Sequence, residues 1–224
     1  MPKGPTPRQL AREQNIARIK ALALEQLAES GAATLSLRGI ARELNIVSSA
    51  IYRYYASRDE LITALIVDAY DDLATAVESA TGAGRRGPRR RWLDGCQALR
   101  SWAVAEPHRW ALVYGSAIPG YAAPPDTIAP AGRVVRALCA PAGGAADPTS
   151  QRPVPRGLAA QLRTTREALD LDVDPATMLA LVGAFARVVG LLTLELNGHF
   201  VGGFEPADDL YADLVEHEAD LLGL

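Results

Sequence analysis

Hydroxyl and guanidinium side chains are concentrated in one short stretch near the amino terminus. Residues 48 to 58 read SSAIYRYYASR, and these groups can hydrogen-bond to phosphate oxygens and to base edges. The side chains suited to such contacts are Ser48, Ser49, Tyr52, Arg53, Tyr54 and Arg58. They suggest recognition of double-stranded DNA. The alternative is an ordinary polar surface with tyrosines in the core.

Two short helices joined by a tight turn are predicted to position these side chains. Ser36 is a good N-cap for a helix that runs to about Leu44. Asn45 interrupts the pattern, and a second short helix begins near Val47 or Ser48 and carries the polar stretch through residue 54. Such a pair, braced by a longer first helix, is a helix-turn-helix whose second helix fits the major groove.

Longer helices are predicted on both sides of this motif. The first runs to about Ser30, with Gly31 placed to end it as a left-handed cap, and residues 1 to 7 form a tail. Its inward face carries Ile16, Ile19, Ala23 and Leu27. A capping box of Ser57 and Glu60 starts a fourth helix that continues to about residue 80.

The rest of the chain also has helical periodicity, so the predicted fold class is all-α. Further helices are expected at about 89–106, 107–115, 126–140, 156–170, 175–198 and 206–222, with loops at 116–126 and 141–155. The predicted domains are an N-terminal tail and helix-turn-helix domain, 1–56, and a linker helix with a larger helical domain, 57–224.

Composition and charge narrow the classes of protein. Hydrophobic residues make up 49% of the 224 residues, enough for a sizeable core. The apolar run from Met178 to Leu194 is interrupted by Arg187, which argues against a membrane span. No secretory signal is evident, and Cys96 and Cys139 cannot form a disulfide framework, so a cytoplasmic location is expected.

Charge is distributed unevenly along the chain. Residues 1–60 hold nine Lys and Arg against six Asp and Glu, whereas residues 61–224 hold fourteen against twenty. The N-terminal part is therefore +3 and the remainder −6. A basic module on an acidic body is typical of a protein that binds a polyanion at one end.

Sequence motifs for catalysis and metal binding are either absent or lie in the wrong structural setting. Residues 82–87 match a GxGxxG pattern, but they follow a predicted helix instead of a strand. No GxSxG or Walker A motif is present, and the three histidines have no close ligand partner. We therefore expect neither an enzyme nor a bound metal or cofactor. The arginines at 85–91 are interpreted as a solvated loop and helix start.

The run TLSLRGIARELNIVSSAIYRYYASRDEL resembles the DNA-binding domain of the tetracycline-repressor (TetR) family of bacterial transcriptional regulators. The resemblance covers about residues 14 to 70 and implies an all-helical homodimer with a divergent C-terminal effector domain. The DNA contacts that it implies fall on Ser36, Arg38, Ser48, Ser49, Ala50, Tyr52, Arg53, Tyr54 and Arg58. Two positions depart from the pattern: Asn45 replaces the usual turn glycine, and Val47 replaces a capping serine.

The resemblance also implies an effector pocket and a dimer interface in the C-terminal half. Trp102, Trp110, Tyr114 and Phe185 are the expected pocket residues, although each could be plain core. The expected interface comprises the apolar stripes of the last two helices: Met178, Leu181, Phe185, Val189, Leu192 and Leu196, then Leu210, Leu214, His217 and Leu221. EPHRWALVYGSAIPGYAAPP and ELNGHF are similar to one branch of actinobacterial members.

The function expected from the sequence is a ligand-responsive regulator, a repressor that binds an inverted-repeat operator as a homodimer. A small apolar or aromatic effector is expected to release it. The alternatives are a helix-turn-helix regulator controlled by a protein partner, and a helical enzyme with an incidental helix-turn-helix. A mostly apolar cavity would favour a small molecule, and a flat exposed apolar patch would favour a protein partner.

Overall fold

The computed structural model describes residues 6–82, 84, 86–143 and 153–224. The helices are α1 Pro7–Ser30, α2 Leu37–Glu43, α3 Ser48–Ile51, α4 Arg58–Thr81, α5 Pro88–Ala105, α6 Pro107–Tyr114, α7 Ile128–Gly143, α8 Arg156–Ala168, α9 Pro175–Leu196 and α10 Asp208–Leu221. Short 3₁₀ turns lie at Ala32–Thr34 and Pro125–Thr127. The part of the chain that the structure describes contains no strand, so the all-α fold class is confirmed.

Local capping explains where the helices begin. The Ser57 hydroxyl accepts from the Glu60 amide at 3.1 Å, as predicted, but the Glu60 carboxylate accepts from the Ala56 amide at 2.6 Å instead of completing the box on Ser57. The Thr6 hydroxyl caps α1, so residues 6 and 7 belong to the helix start and not to a tail. Residues 1–5, Ala83, Arg85 and 144–152 lie outside the described residues.

Gly31 ends α1 with a positive φ of 75°, a conformation that favours glycine. Its ψ of 169° is extended, so the predicted left-handed helical cap is wrong. The chain continues from Gly31 directly into the 3₁₀ turn that leads to α2.

Two hydrophobic cores lie on either side of the molecule and share α4. In the smaller core, α1, α2 and α3 surround the first half of α4, where Leu61, Ile62 and Leu65 are buried. In the larger core, helices α5 to α10 surround its second half, where Leu73 and Val77 are fully buried. The fourth helix is continuous between the two cores, as the capping pattern predicts.

A second helix, α6, also reaches both cores. Leu112 packs into the smaller core, while Trp110 packs into the larger one. Tyr70 of α4 donates a hydrogen bond to the Val113 carbonyl at 3.2 Å, which fixes α6 against α4. The two cores are therefore joined by α6 as well as by α4.

Helix α9 is long and apolar enough to cross a membrane by length and composition, with a mean hydropathy of 1.9 even though it includes Arg187. The interruption by Arg187 is thus not enough to set this helix apart from a membrane span. The core helix of a water-soluble protein meets the same criterion. Met178, Leu181, Ala184 and Leu192 of α9 are buried in the larger core, which favours that interpretation.

Candidate nucleic-acid interface and ligand cavity

The turn between α2 and α3 has the geometry expected of a helix-turn-helix. Asn45 adopts the left-handed conformation, with φ of 55°, as predicted for the residue that stands in place of the usual glycine. The Ser36 hydroxyl accepts from the Gly39 amide at 3.2 Å and so caps α2. The Ser36 amide in turn donates to the Gln26 side chain of α1 at 3.1 Å, which ties α2 to α1.

Helix α3 is a single turn that begins at Ser48, and Val47 occupies the cap position without making a side-chain hydrogen bond. The prediction that the helix carries residues 52–54 is wrong, since α3 ends at Ile51 and a tight turn follows. Ile51 is fully buried and anchors the helix, whereas Ser48, Ser49 and Arg53 are exposed. Tyr52 is 44% exposed and Ala50 is half-buried.

Tyr54 is held by α1, a contact that the sequence pattern did not indicate. Asn15 donates to the Tyr54 hydroxyl at 2.9 Å, and the Arg12 guanidinium lies 5.6 Å from the centre of its ring. A groove of about 530 Å³ separates the start of α1 from α3, and Arg8, Arg12 and Arg53 are among its lining residues. The start of α1 therefore adds positive charge beside α3.

The two remaining arginines of the expected contact set differ in exposure and in their contacts within the protein. Arg38 is exposed on α2. Arg58 donates to the Ala32 carbonyl at 2.6 Å and to Asp59 at 3.3 Å, and its side chain is only 27% exposed. Because this guanidinium already fastens α4 to the 3₁₀ turn, the structure gives Arg58 a structural contact that the sequence interpretation did not include.

A cavity of about 770 Å³ lies between the end of α1, helix α6 and the end of α9. The residues that line it are Leu27, Ala28, Gly31, Ala32, Pro107, His108, Trp110, Ala111, Leu112, Tyr114, Gly115, Ser116, Ile118, Thr193, Leu196 and Asn197. Most of this surface is apolar, and none of its side chains is a carboxylate, an ammonium or a guanidinium. The contribution of α1 was not predicted, because no pattern in the sequence pairs residues 27–32 with α6.

Tyr114 is the centre of an aromatic cluster at this cavity. Its ring centre lies 4.6 Å from that of Trp110, 5.9 Å from that of Tyr70 and 6.3 Å from that of Phe185. Burial raises the pKa of the Tyr114 hydroxyl well above its usual value, with a smaller contribution from Tyr70. At neutral pH the hydroxyl is therefore protonated and can donate a hydrogen bond.

The four expected pocket residues do not lie together. Trp110 and Tyr114 line the cavity, but Trp102 and Phe185 do not. The Trp102 indole N–H donates to Asp72 at 3.1 Å, and the Arg109 guanidinium lies 5.2 Å from its ring centre. That hydrogen bond lowers the pKa of Asp72, as does Arg109, against an opposing effect of burial. Phe185 packs against Tyr114, which does line the cavity.

The expected interface stripe on α9 faces the interior of the protomer. Leu192 is fully buried and Met178 is 1% exposed, so both belong to the larger core. A different face is exposed, and together with the exposed apolar residues of α10 it comprises Leu179, Val182, Leu194, Leu214 and Leu221. A groove of about 330 Å³ runs between the two helices, where Arg187 pairs with the buried carboxylate of Glu218 at 2.6 Å.

Other charged groups serve the fold. Arg89, which the sequence analysis assigned to a solvated helix start, pairs with Asp220 at 2.6 Å and with Glu216, and so joins α5 to α10. His217 is exposed on α10. Among the described residues, no three His, Cys, Asp or Glu side chains are arranged to hold a metal ion.

The fold and the exposed helix-turn-helix define a DNA-binding regulator with a helical C-terminal domain. Residues 19–65 match the profile of bacterial regulatory proteins of the tetR family, and residues 92–217 match the tetracyclin repressor-like C-terminal domain. The chain belongs to the TetR family of transcriptional regulators, whose members are not enzymes.

Individual relatives agree with this assignment. The chain is 43% identical over 199 residues to the HTH-type transcriptional regulator Rv1816 of Mycobacterium tuberculosis (strain ATCC 25618 / H37Rv), over 85% of this chain and 84% of the relative. The same figures hold for the HTH-type transcriptional regulator Mb1846 of Mycobacterium bovis. The crystal structure of regulatory protein SCO4313 superimposes with a TM-score of 0.78 at 36% identity, covering 98% of this chain and 100% of that one.

Proposed function

We propose that this regulator is a repressor that binds an inverted-repeat operator as a homodimer and is released by a small, mostly apolar molecule. The exposed face of α3 carries this proposal. Ser48, Ser49, Tyr52 and Arg53 are exposed on a turn that Ile51 anchors in the core, so they are free to reach DNA. Hydroxyl and guanidinium groups in that arrangement suit both phosphates and base edges.

The remaining DNA contacts follow from the same surface. We propose phosphate contacts for Arg38, Tyr52, Tyr54 and Arg58, and base contacts for Ser49 and Arg53. Ser36 and Ala50 complete the contact set. Because Arg58 also donates to the Ala32 carbonyl, its phosphate role would require it to share or release that hydrogen bond.

Dimerisation is proposed through α9 and α10. Two recognition helices must meet successive major grooves about 34–36 Å apart, which requires two copies related by a two-fold axis. Leu194 and Leu214 leave an apolar face uncovered on one protomer, at 45% and 37% exposure. A second copy of the same face would cover it.

Control by a small molecule is supported by the cavity that Trp110 and Tyr114 line, since its volume falls within the range of ligand pockets. Control by a protein partner would instead need an exposed apolar patch apart from the dimer face. The proposed dimer would cover the exposed residues of α9 and α10, and the cavity offers a site for a small molecule, so we favour the small molecule. We place the protein in the cytoplasm, with no membrane partner.

The decisive experiment is to sequence the genomic DNA that the purified chain retains. We expect fragments that share one inverted repeat, and a particle of twice 23.8 kDa by light scattering. Deletion of the gene should raise transcription next to the retained sites. Retention of DNA without a common repeat, or a monomer at micromolar concentration, would contradict the proposal. Lowered transcription would indicate an activator instead.

A further inference from the structure

We propose that the effector binds between the two halves of the molecule, in the cavity that has the end of α1 as one of its walls. The effector is a neutral aromatic molecule with a hydrogen-bond acceptor. This inference rests on the proposed ligand response and specifies its site. We call this cavity the interdomain cleft, lined by the α1 end at residues 27–32, by α6 with the loop to residue 118, and by the end of α9.

One wall of the interdomain cleft belongs to the DNA-binding half. Leu27 lines the cleft and is also part of the smaller core, together with helices α2 and α3. Ala28 lines the cleft and is exposed. A molecule in the cleft therefore touches the half that carries the recognition helix directly, without an intervening element.

The lining defines the chemistry of the ligand. Polar groups are few, none is a carboxylate, an ammonium or a guanidinium, and His108 lies at an exposed position. The Trp110 indole N–H is already donated to Thr193 at 3.3 Å, and the Asn197 amide N–H to the Thr193 carbonyl at 2.8 Å. Among the described residues the Tyr114 hydroxyl has no hydrogen-bond partner, so it can donate to a ligand acceptor, as can the Ser116 hydroxyl at the same cavity. The ring faces of Trp110 and Tyr114 favour an aromatic body.

Two polar contacts join α1 and α6, which form walls of the interdomain cleft, to α4. Lys20 of α1 pairs with Asp68 of α4 at 2.6 Å, and Arg109 of α6 donates to the Asp68 carbonyl at 3.2 Å. These contacts hold α1, α4 and α6 in one arrangement. A ligand that separates the end of α1 from α6 must strain or rearrange them, and so changes the angle of the DNA-binding half against the C-terminal bundle.

Nile red provides the probe, because it is neutral, aromatic, carries a carbonyl acceptor and shifts its emission in apolar surroundings. We expect it to bind the full-length protein and to weaken binding to the retained operator by about 5- to 150-fold. Operator DNA must weaken Nile red binding by the same factor, since coupling between two binding sites is reciprocal. Equal Nile red affinity with and without operator would overturn the inference.

Variants test whether Nile red binds in the interdomain cleft. Ala28→Phe fills the cleft from the α1 wall and should weaken Nile red binding at least tenfold, whereas Ala21→Phe, at an exposed position on the same helix outside the lining, should leave it unchanged. Tyr114→Phe should weaken it by about 2- to 12-fold, the value of one hydrogen bond. Unchanged Nile red binding by Ala28→Phe would overturn the assignment to the cleft.

The outcomes separate this inference from the proposed function. If the wild-type chain retains no DNA, the proposed function fails. If it retains an operator but Nile red does not bind, or binds without coupling, only the interdomain cleft is rejected as the site for this class of ligand. Circular dichroism of Ala28→Phe and Ala21→Phe checks that both fold alike.

Discussion

The two halves of the molecule use aromatic side chains in opposite ways. In the N-terminal half the core is built from aliphatic residues and Tyr55, and Tyr52 is left 44% exposed beside the serines of α3. In the C-terminal half Trp92 and Trp110 are buried at 0% and 2% exposure. Substitution of the exposed Tyr52 should therefore affect DNA binding more than stability. Substitution of the buried Trp92 or Trp110 should affect stability more than DNA binding.

The largest expected effect is in the C-terminal core. Trp92 is fully buried and donates its indole N–H to the Val215 carbonyl at 3.3 Å, so Trp92→Ala should lower the free energy of unfolding by about 3–5 kcal/mol. Urea unfolding followed by circular dichroism measures this. Val104→Ala, at a position 51% exposed on the same helix, serves as the control. Similar losses for the two variants would mean that the burial of Trp92 does not set its contribution to stability.

Dimer formation tests the exposed face of the same half. Leu194→Asp places a charge on the apolar face of α9, and we expect the dimer dissociation constant to rise at least about 100-fold, or about 2.8 kcal/mol. Sedimentation or light scattering over a concentration series measures the change. Val104→Asp is the matched control on an exposed position of α5. An unchanged dimer would mean that α9 and α10 do not form the interface.

The N-terminal half should respond in DNA affinity alone. Arg53→Ala removes an exposed guanidinium and should weaken operator binding by about 1–3 kcal/mol while relaxing preference at one position of each half-site. Stability should stay within about 0.5 kcal/mol, because the side chain is exposed. Fluorescence anisotropy with a set of operator variants measures the affinity and the base preference, and urea unfolding measures the stability. A large loss of stability would show that Arg53 supports the fold.

Arg38→Ala is the comparison that separates base reading from phosphate binding. It should weaken all sequences alike and reduce the slope of log affinity against log salt by about 0.9. Arg58→Ala cannot serve in this role, because its loss also removes the hydrogen bond to the Ala32 carbonyl.

The smallest expected effect concerns the cap of α9. Asp174 accepts from the Ala176 and Thr177 amides at 2.7 and 3.1 Å, and Asp174→Ala should cost about 1 kcal/mol at neutral pH. The Thr177 side chain and amide hydrogen bonds lower the pKa of Asp174, so its stabilisation is present at neutral pH and is lost as pH falls through that lowered pKa.

Unfolding measured between acid and neutral pH checks this dependence. The difference in free energy of unfolding between wild type and Asp174→Ala should shrink toward acid pH. Asp213→Ala, at an exposed position in the middle of α10, should differ little from wild type at any pH. A gap that widens toward acid pH would contradict the capping role.

Most of the N-terminal half could be predicted because its signals are local. Caps at Ser36 and Ser57 and the turn residue Asn45 each act within four residues of their own position. The length of α3 was overestimated, since a helical pattern continues through residues 52–54 while the backbone turns after Ile51. The contact of Asn15 with Tyr54 spans 39 residues, and no local pattern encodes it.

The sequence by itself determined the fold class, the helix-turn-helix and the helix bounds to within a few residues, because caps and periodicity depend on neighbours along the chain. Tertiary structure alone decided which face of α9 is covered, which partner Arg58 takes, and that the end of α1 forms a cavity wall with Trp110. Helix α9 is apolar nearly all round, so its pattern has no preferred direction, and Leu192 or Leu194 could equally have faced inward. Only the packing of distant helices breaks that ambiguity.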